Sequence, residues 1–153
     1  MTKAIDILKQ PRIQILNTLK EFSIEQLNDV PAGFNNNIIW NLGHMIAAQQ
    51  GVCYARAGLN KVIDDSFFMA YKPDTKPEKF IDAAEYDIIK ELMLSTLEQF
   101  EIDLQKNIFT NYTPWTTRYG VEIRNIDDAL SFLPFHDGLH SGYIMSLRKV
   151  VKK

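Results

Sequence analysis

Four stretches of this chain repeat apolar residues at steps of three, four and seven, and that period decides what the chain can fold into. In the clearest stretch, 77–105, Ala84, Ile88, Leu92, Leu97 and Leu104 mark one face of a long helix that opens near Pro77. Residues 2–22 repeat the pattern through Ile5, Leu8, Ile15, Leu19 and Phe22. Pro11 interrupts them, predicting either a kink or a helix that begins near Gln10. A further helix is expected over 36–57, capped from Asn35, Asn36 or Asn37 and stopped at Gly58. On it Ile39, Trp40, Gly43, Ala47, Gly51 and Tyr54 share a face; its small residues suit close helix contact or room around a ligand. The last helix begins at Asn125 or Asp127, with Asn125 and Asp128 at capping-box spacing, and runs to about Lys149. Pro134 should bend it and free the carbonyl of Leu130.

Between these helices lie a connector at 23–37 that opens on a capped turn at Ser23, a mixed loop at 58–76, and a second long excursion at 106–125. Residues 119–123 within that excursion are the one strand-like piece. The expectation is an all-α fold of four long helices with two long crossover loops, forming a single domain over residues 1–153.

Composition narrows the function by exclusion. Seventeen basic and nineteen acidic residues leave a net charge of −2, no field for gathering nucleic acid or an anionic membrane. The terminal cations Arg148, Lys149, Lys152 and Lys153 suit the end of a helix, where the dipole favours positive charge. Cys53 is the sole cysteine, which rules out an intrachain disulfide and offers no second thiol for a metal or redox motif. The N-terminal residues lack a long apolar run, and no stretch of ~18 apolar residues occurs, so a cytoplasmic location is expected. Phosphate loops, serine elbows, His-Glu-x-x-His helices and the Glu-x-x-His pairs of di-metal bundles are missing.

The chemistry-bearing feature is the use of histidine. The chain has three: His44, His136 and His140. His136 and His140 are four apart, so one helical face carries both, one turn from each other. His44 falls mid-way along the second long helix, from which a neighbouring helix could bring it opposite the other two. Imidazole suits divalent first-row metals, and three imidazoles leave an open coordination position. The same spacing also describes a packed pair of core histidines, and spacing alone leaves both readings open.

Three segments in order resemble the DinB-like, or YfiT-like, family of metal-binding helical bundles, unrelated in function to the polymerase that shares the name. They are Glu25-Gln-Leu-Asn28 with Pro31-Ala-Gly33, Ile38-Ile-Trp-Asn-Leu-Gly-His44, and His136-Asp-Gly-Leu-His140-Ser-Gly-Tyr-Ile144. The likeness covers about residues 3–149. It implies a four-helix bundle, a homodimer, and His44, His136 and His140 as ligands of one divalent ion per chain, zinc or nickel ahead of iron or manganese. Pro134 and Gly138 depart from good helix-forming residues around the ligand pair.

The resemblance implies a candidate chemistry too: a transferase that joins a low-molecular-weight thiol to a small electrophile. A hydrolase using metal-activated water and a metal-binding stress or interaction protein without turnover are the alternatives. Asn41 and Tyr143 are placed to orient a ligand beside His44 and His140. Trp115 and Arg118, in the long excursion, are placed to cover a pocket mouth. Asp137 projects about 100° round the helix from His136 and is expected to face elsewhere.

Overall fold

The computed structural model describes residues 3–151, so the expectation for Lys152 and Lys153 lies outside the described residues. Helices α1 (Lys3–Leu19), α2 (Ile24–Asn28), α3 (Ile38–Gln49), α4 (Asp65–Tyr71), α5 (Ala83–Gln105) and α6 (Ile126–Val151) are joined by a two-stranded ribbon, β1 (Trp115–Thr116) and β2 (Glu122–Ile123). The ribbon is antiparallel, pairing Trp115 with Ile123 and Thr116 with Glu122. Helices α1 and α3 each pack against both α5 and α6, which sets the four long helices as a bundle with α1 diagonal to α3.

Local chemistry explains most helix ends. Ser23 and Gln26 cap α2 reciprocally, and Asp82 and Glu85 do the same for α5. That second box moves the start of α5 from the expected Pro77 to Ala83, because two satisfied backbone donors outweigh the tolerance of proline in a first turn. Asn37 caps α3 by accepting from the Trp40 amide at 2.7 Å. Gly58, at φ +70°, ends the helical run at the expected residue. Asn125 accepts from the Asp128 amide at 2.9 Å, whereas Asp128 reaches back to the amide of Arg124 rather than to that of Asn125.

Three expectations change. Helix α1 starts at Lys3 and runs through Pro11, so of the two expectations it is the start near Gln10 that falls. Packing of Ile5 and Leu8 in the core on one side of the proline, and of Ile15 and Leu19 on the other, offsets the lost hydrogen bond. The loop at 58–76 contains the short helix α4, whose Phe67 and Phe68 pack on the core. The final turns of the second long helix are π-helical over Gln50–Ala55, in line with α3. Helix α6 itself continues uninterrupted through Pro134 and extends to Val151.

The interior has two apolar clusters. One gathers Ile15, Leu19, Leu42, Met45, Met93, Ile144 and Leu147; the other gathers Ile5, Leu8, Tyr54, Leu97, Phe100 and Leu133. Each fully buried aliphatic side chain contributes about 1.5–3 kcal/mol. A polar layer lies between the clusters along the sequence of each helix: Arg12 on α1, Gln49 on α3, Thr96 on α5 and Asp137 on α6, all buried. Arg12, with no exposed surface, donates to Asp137 Oδ2 at 2.7 Å, to Gln49 Oε1 at 3.3 Å and to the carbonyl of Met93 at 3.1 Å. Gln49 in turn donates to the carbonyl of Thr96 at 3.0 Å. Such a layer is tolerable in a core because nearly every donor has an acceptor.

Candidate metal centre

Helix α6 brings His136 and His140 onto one face, with ring centroids 4.7 Å apart, so Pro134 two residues earlier does not disturb their i,i+4 relation. Helix α3 sets His44 opposite them, 5.3 Å from His136 and 4.7 Å from His140 between centroids. One ligating nitrogen from each ring can be chosen so that all three lie within 4.8 Å of one another.

For His44 and His140 the surroundings fix which nitrogen that is. Tyr71 is the last residue of α4, and its carbonyl has no acceptor role left inside that helix. His44 Nδ1 donates to it at 2.7 Å. A carbonyl only accepts, so His44 carries its proton on Nδ1 and keeps its lone pair on Nε2. Asn41 does the same for His140: its Oδ1 accepts from His140 Nδ1 at 2.8 Å. The orientation of the Asn41 amide is itself determined, because its Nδ2 donates to Asn36 Oδ1 at 2.9 Å and to the carbonyl of Asn37 at 2.7 Å. Trp40 stacks on His44 at 4.7 Å and 11°, and is held in turn by Thr75 through a 3.1 Å hydrogen bond from Nε1.

Burial pushes the His44 pKa down to about 4, and the charges of His136 and Arg118 add to this against the opposing Tyr71 hydrogen bond. Burial likewise pushes His140 down to about 3, with the neighbouring histidines adding to it. Both rings are therefore neutral near pH 7, the form that binds a metal. His136 differs from them. Its buried Nδ1 has no hydrogen-bond partner, and the nearest acid oxygen, Asp137 Oδ1, is 3.9 Å away and also unpartnered. Asp137 does turn from the cavity, as expected, but it turns to Arg12 inside the core and stays beside the histidine it follows.

These features fit a divalent ion. Metal–nitrogen bonds of about 2.0–2.1 Å place tetrahedral ligands roughly 3.4 Å apart, within small side-chain rotations of the observed spread. No carboxylate or thiolate joins the set among the described residues, so the donors are imidazoles alone and leave a coordination position open.

The histidines face a cavity of about 580 Å³. Ala47, Ala48 and Gly51, small residues on the second long helix and its π turn, line it beside the histidines. Gly43, one residue before His44, is instead a contact residue: a β-carbon there would sit 2.4 Å from the Tyr71 ring. Trp115 and Arg118 both line the cavity. Tyr143 does not; it is partly exposed and packs edge-on against Phe34. Trp40, Arg56, Asp74, Phe132 and Leu139 also line it, none of them named as a site residue from the sequence. Trp40, four residues before His44, could have been found from helical spacing; Arg12 and Asp137, 125 positions apart, could not.

The fold and site define a helical bundle with a three-histidine centre at the base of an open cavity. The model of the DinB superfamily matches residues 8–144, and the chain belongs to that superfamily. A comparison with curated proteins finds no match. Among the described residues, no helix is long and apolar enough to cross a membrane.

Proposed function

We propose that this protein is a divalent-metal-dependent enzyme that joins a low-molecular-weight thiol to a small electrophile, with His44, His136 and His140 as the ligands. The observation that carries this reading is the pairing of neutral, Nδ1-protonated imidazoles with an open cavity of substrate size. A zinc or nickel ion held there would supply a Lewis-acidic position that lowers the pKa of a thiol or of water. The chain's own part is to hold His44 through Tyr71 and His140 through Asn41, so that lone pairs and not protons face the centre. The small apolar lining residues and the indoles of Trp40 and Trp115 exclude water from a sulfur nucleophile and orient the electrophile beside it. In the overall step a sulfur–carbon bond forms, the thiol proton leaves, and the electrophile releases its leaving group with the bonding pair.

A metal protein without turnover would have that coordination position covered by a side chain, and the cavity argues for turnover instead. The reading further takes the protein to be a cytoplasmic homodimer, as the family resemblance implies.

The test is elemental analysis of protein purified without an affinity resin, followed by zinc and nickel titration of the metal-free form. About one equivalent of a single divalent ion per chain is expected, with occupancy reduced in His44→Ala, His136→Ala and His140→Ala. Full occupancy in all three variants would sink the assignment. Loaded protein is then screened for conjugation of simple thiols to alkyl and aryl electrophiles, and absence of turnover across the panel would overturn the transferase reading.

A further inference from the structure

The geometry points to a second subsite in the same cavity, formed by Arg56 and Arg118 and built for an organic monoanion with a flat apolar body. The inference deepens the proposed function and rests on reading the cavity as a substrate site, because it names the chemical class of the molecule that enters.

Two guanidiniums line a cavity whose only acidic residue is Asp74. Among the described residues neither Arg56 nor Arg118 makes an ion pair or a side-chain hydrogen bond. Arg56 is half-buried and Arg118 exposed, and both border a mostly apolar space of about 580 Å³, where charge is less well screened than in open water. A bound divalent ion would make the cavity more positive still. An anion would find donors on one side of the cavity and apolar walls on the other.

The walls specify the rest of the ligand. Arg56 lies over the Trp115 ring at 5.3 Å from its centroid. The indole cannot swing freely: its Nε1 donates to Tyr112 Oη at 3.0 Å, and Tyr112 donates to the carbonyl of Val52 on the π turn at 2.8 Å. Phe132 meets it edge-on at 5.8 Å. A fixed indole with a planar guanidinium fork over it suits an aryl carboxylate or sulfonate, whose ring packs against the aromatic wall and whose two oxygens accept from the fork. The π turn takes part in this arrangement, since it supplies both the Val52 carbonyl and, immediately after it, Arg56.

The test uses three probes of one shape: naphthalene-2-sulfonate, 2-naphthoate and the neutral 2-naphthamide. Each is titrated calorimetrically into metal-free and into zinc-loaded protein. A sulfonate is a feeble ligand for divalent ions, so its binding reports the arginines rather than the histidine centre. Both anions are expected to bind the metal-free protein, with the amide weaker by about tenfold or more. Arg56→Met and Arg118→Met should each weaken the anions about tenfold and leave the amide unchanged. The inference is overturned if the amide binds as well as the anions, if either variant binds them undiminished, or if naphthoate binds only the loaded protein while the sulfonate fails. Zinc stoichiometry of the two variants is measured alongside. Anion binding by a protein that takes up no metal would keep this subsite and remove the metal reading; the reverse result would do the opposite.

Discussion

Asn41 on α3 and His140 on α6 stand 99 positions apart in the chain and meet at 2.8 Å, oxygen to Nδ1. That contact decides which nitrogen of His140 is free, and it works because two further hydrogen bonds stop the amide from flipping. Outer partners of ligating histidines typically govern metal affinity by about 10–100-fold. Asn41→Leu should therefore keep the helical far-UV signal and lower zinc affinity within that range. A competition titration against a chromophoric chelator measures it, and unchanged affinity would show that His140 needs no such anchor.

Gly43 and Tyr71 make a second, steric version of the same support. The Tyr71 ring occupies the space a β-carbon at 43 would take, while its carbonyl holds His44. Gly43→Ala must push the end of α4 outward. A loss of about 1–3 kcal/mol is expected from overpacking, with weaker metal binding as the carbonyl retreats. Urea melts of the metal-free form separate the stability loss from the change in affinity.

The buried pair of Arg12 and Asp137 predicts an asymmetry between single and double variants. Removing either partner leaves a charge inside the bundle without its counter-ion, which costs about 3–5 kcal/mol. Burial alone would raise the Asp137 carboxyl, but the guanidinium beside it prevails and holds it below the usual carboxylate range. Arg12→Met and Asp137→Leu should each be severe, and the double variant milder than the sum of the two. Equal, additive losses in denaturant melts would mean that the pair is not coupled.

Acid should destabilise the metal-free protein well above the carboxylate range. Unfolded, a histidine titrates at about 6.5; folded, His44 is pushed down to about 4 and His140 to about 3. Between those limits the unfolded chain binds more protons than the folded one, so stability rises with pH. It is fully present above 6.5 and is lost as the pH falls through 4 towards 3. Midpoint temperatures recorded from pH 8 to 4 should fall on the acid side, and His44→Gln with His140→Gln should flatten the slope. A flat profile in the unmodified protein would contradict the burial argument.

Much of this was legible in the residues. Apolar periodicity is a local property, and it marked the four long helices because each must bury one stripe. The cap residues Ser23, Asn37 and Asn125 and the stop at Gly58 were legible for the same reason, since their hydrogen bonds or backbone angles involve near neighbours. Asp82 and Glu85 carried an equally local signal that was masked by Pro77 upstream. The π turn was not legible, and at Pro11 the residues left a kinked helix and a later start both open; packing from other helices outweighs local preference at both places.

The sequence by itself determined that His136 and His140 share a face, since 3.6 residues per turn leave no alternative on a helix. It also determined the charge balance and the lack of any second thiol. Only the tertiary structure decided that His44 meets them, that Tyr71 and Asn41 set their protons, that Tyr143 turns away to Phe34, and that Arg56 joins Arg118 over the cavity. Those relations join residues far apart in the chain, and the packing of whole helices fixes them, a property that no short window of sequence contains.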